Sequence, residues 1–129
     1  VDLFNMLKPI LDENVNNIVA QEVGLFSNLL RLAGRVDCVA DYEGVRSVID
    51  FKGSTREKRE EDIENYFLQS TAYAIMWQEL TGQPIKQIVI LIACETGTAQ
   101  VYVKDPKDYV HKLKEVIESY ENKFGSVQV

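Results

Sequence analysis

Positive charge is in short supply in this chain. Its 129 residues carry 14 lysines and arginines against 20 aspartates and glutamates, giving a formal net charge of −6 and a pI near 4.8. Binding a polyanion through one broad basic surface is excluded by that balance. An acidic body with a local basic rim is not, and Arg31, Arg35, Arg46, Arg56, Lys58 and Arg59 lie close enough in sequence to supply one. Two cysteines, Cys38 and Cys94, fall inside apolar runs and read as small buried hydrophobes, too few for a four-cysteine iron–sulfur cluster. The single histidine, His111, stands between Val110 and Lys112 with no other candidate ligand nearby, so it reads as a surface residue. No apolar run approaches the roughly 20 residues that span a bilayer, and no secretory leader opens the chain. A soluble, cytoplasmic protein with no membrane partner is expected. Repeats, low-complexity segments and internal linkers are also missing, and the 46% hydrophobic fraction suits one domain over residues 1–129 with its own core. The chain opens at Val1 rather than at an initiator methionine, so an upstream helical element is allowed for.

The elements read as follows. Leu3, Leu7, Ile10 and Leu11 have helical spacing, with Pro9 marking a kink or a late first turn. Ile18 to Phe26 reads as a strand, Ser27-Asn28 as a tight turn, Leu29 to Asp41 as a longer strand with a possible break at Gly34, and Val45 to Lys52 as a third strand after Tyr42-Glu43-Gly44. A charged stretch, Arg56 to Asp62, leads into a helix to about Leu80 that Gly82 and Pro84 stop. The apolar run Ile85 to Cys94 suits a strand covered on both faces, Ala99 to Val103 follows, and Pro106 opens a terminal amphipathic helix. The expected fold is α/β, a mixed central sheet with an antiparallel meander and flanking helices.

Against that frame, Asp37, Asp50 and Lys52 stand out. Strand side chains alternate between faces, so Asp50 and Lys52 point one way and Phe51 the other, while Asp37 sits on the neighbouring strand. Val48 and Ile49 lead into this patch from an apolar strand, where a half-buried charge needs compensation. A divalent cation supplies it. Asp37 and Asp50 are hard oxygen ligands suited to Mg²⁺ or Mn²⁺, and the backbone carbonyl of Phe51 is a third. Lys52 can position or help deprotonate an attacking water and offset developing charge, which is what hydrolysis of a phosphodiester requires. The plainer reading of Lys52 is an ion pair with one of the acids. On the following helix Gln69 and Tyr73, four residues apart, share a face. Gln69 can donate to a phosphate oxygen, and Tyr73 can add a hydroxyl or stack on a base. Otherwise Tyr73 joins Met76, Trp77 and Leu80 in a buried stripe, the reading preferred for Trp77.

Gly34-Arg35-Val36-Asp37, then Asp50-Phe51-Lys52, then Gln69-Ser70-Thr71-Ala72-Tyr73, in that order and on those elements, resembles the PD-(D/E)XK nuclease superfamily and within it the RecB-like exonuclease branch. The resemblance covers about residues 20 to 120. It implies a restriction-endonuclease-like core, a Mg²⁺- or Mn²⁺-dependent DNA exonuclease activity, DNA as partner, and roles for Asp37, Asp50, Lys52, Gln69 and Tyr73. It also implies a glutamate upstream of Gly-x-x-Asp in the metal's shell, for which Glu22 is the candidate, although Gln21 and Glu22 point to opposite faces. The histidine that many RecB-like nucleases carry on a helix before the first acid has no counterpart here. The alternatives are an endonuclease on the same core and a nucleic-acid-binding module without catalysis.

Overall fold

A computed structural model describes residues 3–28, 30–124 and 127–128. Its elements are α1 (Leu3–Asn14), β1 (Val15–Ser27), β2 (Leu32–Tyr42), β3 (Val45–Ser54), α2 (Glu64–Thr81), β4 (Gln87–Cys94), β5 (Ala99–Lys104), α3 (Val110–Phe124) and the short β6 (Val127–Gln128). The strands form one sheet in the order β1-β2-β3-β4-β5, with β6 beside β2. β1–β2, β2–β3 and β4–β5 are antiparallel; β3–β4 and β2–β6 are parallel. The sheet is therefore mixed and flanked by helices, as the sequence predicts.

Two apolar layers explain the hydrophobic pattern. Ile88, Ile90 and Ile92 of β4 enter a core with Val39, Val48, Phe67, Met76, Trp77, Leu113 and Ile117, under α2 and α3. The alternate residues Val89, Leu91 and Ala93 enter a second layer with Leu7, Cys38, Ala40 and Ile49, under α1. Period-2 alternation thus sends β4 into both layers, which is why its sequence is apolar without interruption. Both cysteines are buried and free, and burial pushes the Cys38 thiol up to about 11.

Several boundaries differ from the sequence reading. β1 begins at Val15, and β2 runs unbroken through Gly34, which pairs with Leu25 in continuous register. Leu29, where that strand was expected to start, lies outside the described residues. Pro9 lies well inside α1. Gly82 does end α2, in the left-handed region at φ 76°, with its N–H donating to the Gln78 carbonyl at 2.8 Å. Leu80 is exposed rather than part of the buried stripe. Pro106 opens a short 3-10 turn, and α3 follows from Val110. Among the described residues no helix is long and apolar enough to cross a membrane.

Candidate active site

The site is a fork in the sheet. From the Tyr42/Val45 turn, β2 and β3 pair only as far as Cys38 and Ile49. Beyond that point β2 stays with β1 as far as Leu32, while β3 stays with β4 as far as Ser54. Asp37 and Asp50 are the first residues past the split. A parting strand leaves backbone groups without a ladder partner, and one side chain answers this directly: the Phe51 N–H donates to Asp37 Oδ2 at 2.9 Å. An extended residue sends its N–H and C=O off the same strand edge, so the Phe51 carbonyl also opens toward the fork. Its ring packs in the α1-side layer, away from the acids.

A backbone irregularity helps shape the opening. Val36 and Val39 both enter the α2-side core, so the alternation of β2 slips around Asp37. Across from it in register stands Glu22, at φ 50°, between the pairs Gln21/Cys38 and Val23/Val36. That left-handed conformation is costly for a residue with a Cβ. It turns the exposed Glu22 carboxylate to within 3.7 Å of the Arg35 guanidinium. Gln21 lines a cavity of about 350 Å³ beside Asp12, Cys38 and Phe51 on the α1 side. The structure therefore brings Asp37 and Asp50 together without Glu22: among the described residues, no three acidic, histidine or cysteine side chains gather as a ligand set.

Asp50 is nearly fully buried, on the α2 face of β3. Burial, together with a hydrogen bond shared with Asp37, pushes its carboxyl up to about 7, against the opposing pull of Lys52. Lys52 Nζ lies 3.0 Å from Asp50 Oδ2, yet that buried oxygen accepts no well-aligned hydrogen bond from the described residues. The ammonium is at ion-pair distance and also donates to Gln69 Oε1 at 2.9 Å. A buried carboxylate oxygen whose close partner is an ion-paired ammonium without good hydrogen-bond alignment, beside a second carboxylate and the Phe51 carbonyl, fits a hard divalent cation that keeps other positions for water or phosphate.

α2 lies across this end of the sheet and brings Gln69 and Tyr73 to it. Tyr73 is buried, and its hydroxyl is raised by burial and then by the charges of Asp50 and Asp37, while a hydrogen bond with the Arg35 backbone opposes the rise. Asp37, Asp50, Lys52, Gln69 and Tyr73 thus converge.

The sequence reading missed two groups. One is Tyr66, whose ring lies under Lys52 with the ammonium 4.7 Å from its centroid; its place three residues before Gln69 was the available signal. The other is the anchor of the segment joining β3 to α2. Gln100 binds Lys58 on both sides, accepting from its N–H at 2.8 Å and donating to its carbonyl at 2.9 Å, and the Tyr102 hydroxyl donates to the same carbonyl at 2.8 Å. The predicted basic rim is partly neutralised: Arg46 pairs with Asp41, and Arg59 with Glu61 and Asp62. His111 is exposed, 3.1 Å from Glu115 on its own helix, as expected of a surface residue.

A sequence model of the PD-(D/E)XK nuclease superfamily matches residues 4–127. The fold is similar to the crystal structure of a protein from Eubacterium rectale that carries the provisional designation of exonuclease, with a TM-score of 0.49 and 13% identity. The similarity covers 92% of this chain and 54% of that one, so this chain spans about half its length. No curated protein matches the sequence.

Proposed function

Since the chain belongs to the PD-(D/E)XK nuclease superfamily, whose members generally use divalent metal ions, we propose that it is a Mg²⁺- or Mn²⁺-dependent DNA exonuclease with residues 1–129 as its nuclease domain. The observation that carries this reading is the buried, donor-poor Asp50 Oδ2 beside Asp37 at the fork.

In this reading Asp37, Asp50 and the Phe51 carbonyl hold the cation. When bound, the cation supplies charge neutralisation at the phosphate and lowers the pKa of the attacking water. Lys52, held between Asp50 and Gln69, keeps a positive charge facing the phosphate as negative charge builds there. The Gln69 carbonyl is taken by Lys52, which leaves its amide N–H groups to donate to a phosphate oxygen. Tyr73, tied to the Arg35 backbone and raised above the ordinary tyrosine range, stays protonated at neutral pH and acts as a donor. Glu22, whose carboxylate faces Arg35, would join the cation's shell only by leaving that pair.

The exonuclease assignment rests on the resemblance of Gln69 and Tyr73 to the RecB-like branch, in which the helix bordering the fork favours a free strand end. The test is digestion of end-labelled linear DNA and of covalently closed single-stranded circles of the same sequence, with Mg²⁺ and with EDTA. Linear DNA should be degraded progressively while circles survive. Rapid opening of circles would make it an endonuclease, and binding without cleavage would make it a non-catalytic module.

A further inference from the structure

Lys52 has a third contact besides its two polar ones. Tyr66, Gln69 and Tyr73 are spaced i, i+3 and i+7 on α2 and so form one stripe along the helix. The ammonium of Lys52 meets that stripe twice, at Gln69 Oε1 (2.9 Å) and over the Tyr66 ring (4.7 Å from the centroid). Its other neighbour is Asp50 Oδ2 at 3.0 Å. A lysine side chain is a point charge on a flexible four-carbon stem, so one acidic neighbour does not fix where the charge sits. Left to Asp50 alone, the ammonium would settle on the two carboxylates and compete with a cation for the same oxygens. The ring and the amide both draw it toward α2. Tyr66 itself is only partly buried at the edge of the core, so its ring has an open rim as well as a packed one.

We propose that Tyr66 is a positioning residue of the active site, whose ring face holds the Lys52 ammonium on the α2 side of the fork. This inference rests on the nuclease reading above. It assigns Tyr66 no contact with the phosphate and no proton. Its effect is carried through Lys52, and the aromatic face matters while the hydroxyl does not.

The experiment measures kcat and KM on end-labelled linear DNA with Mg²⁺ for wild type, Tyr66→Phe and Tyr66→Leu, each also in a Lys52→Met background. Tyr66→Leu should lower kcat by about tenfold, in the range of a partly desolvated cation–π contact, with KM nearly unchanged. Tyr66→Phe should retain wild-type kcat. In the Lys52→Met background Tyr66→Leu should add no further loss. An unchanged kcat in Tyr66→Leu, an equal loss in both backgrounds, or a loss confined to KM would each overturn the proposal; the last would make Tyr66 a stacking platform for the strand. Should Tyr66→Leu fail to fold, phenylalanines of increasing fluorination at position 66 keep the shape and weaken the ring face, and kcat should fall stepwise along the series; a flat series overturns the proposal. A ring-current shift of the Lys52 ε protons, retained in Tyr66→Phe and lost in Tyr66→Leu, tests the contact without turnover. If wild type cleaves nothing, the nuclease reading fails, whereas Lys52 ε protons at ordinary shifts in wild type defeat this inference alone.

Discussion

Asp41 lies in the β2–β3 ladder near its turn and Asp50 just past its other end, and the two have opposite electrostatics. Asp41, near the turn, accepts from Asn17 Nδ2 at 2.9 Å and from Arg46 Nε at 2.7 Å, so each oxygen has a donor. Those hydrogen bonds, Asn17's first, hold its carboxyl below the usual range. Asp50, at the fork, has an oxygen with no aligned donor, and burial pushes its carboxyl up to about 7. The first aspartate clamps β1 to the hairpin and has nothing left to offer a ligand. The second is buried with a lysine at ion-pair distance but no aligned donor on Oδ2, and so keeps capacity for a cation or a proton. Charge alone therefore does not mark the candidate site; incomplete pairing does.

The sharpest way to break this comparison is to neutralise each acid in turn. Asp50→Asn should fold and yet lose Mg²⁺-dependent cleavage by at least about a thousandfold, because it removes a cation ligand while keeping shape. Asp41→Asn should cleave at close to the wild-type rate and show its cost in a lower melting temperature. Equal losses in the two variants, read by initial rates on linear DNA, would erase the distinction. Next in size is Lys52→Met, expected to lower kcat by about a hundredfold with little change in KM, since its charge is assigned to the transition state. A variant with unchanged kcat and lower stability would make Lys52 a plain ion pair.

A further effect is a pH dependence of stability. In chelator, the Asp50 carboxyl titrates near its ordinary value of 3.8 in the unfolded chain, and burial raises it to about 7 in the folded one. Between those values the folded state holds a proton that the unfolded state has released, so stability falls as pH rises through this window and levels off above it. The contribution is at most ~1.4 kcal/mol per pH unit, one proton's worth. Comparing urea unfolding of wild type and Asp50→Asn from pH 4 to 8 isolates it: the difference should favour the variant increasingly up to about pH 7, and a constant difference would contradict the assignment.

Much of this was legible in the sequence because it depends on local periodicity. Alternation placed Asp50 and Lys52 together and Phe51 opposite, four-residue spacing placed Gln69 with Tyr73, and the unbroken apolar run of β4 announced a strand covered on both faces. What stayed hidden depends on backbone exceptions and long-range pairs. Nothing in Val19-Ala20-Gln21-Glu22-Val23 signals that Glu22 adopts a positive φ and turns to Arg35. The charges of Arg56 to Asp62 read as a solvated rim, yet Lys58 is fixed through its backbone by Gln100 and Tyr102, more than forty residues along the chain. Tyr66 was hidden for a third reason: an aromatic residue early in a helix reads as core, and only the position of Lys52 shows what lies over its ring.

The central claim is that the fork between Asp37 and Asp50 holds a divalent cation and the Asp41 clamp does not. Mn²⁺ binding followed by electron paramagnetic resonance tests it without DNA or turnover. The account predicts saturable binding to wild type that is kept in Asp41→Asn and lost in both Asp37→Asn and Asp50→Asn. Binding that survives in Asp37→Asn and Asp50→Asn, or that disappears with Asp41→Asn, would contradict it.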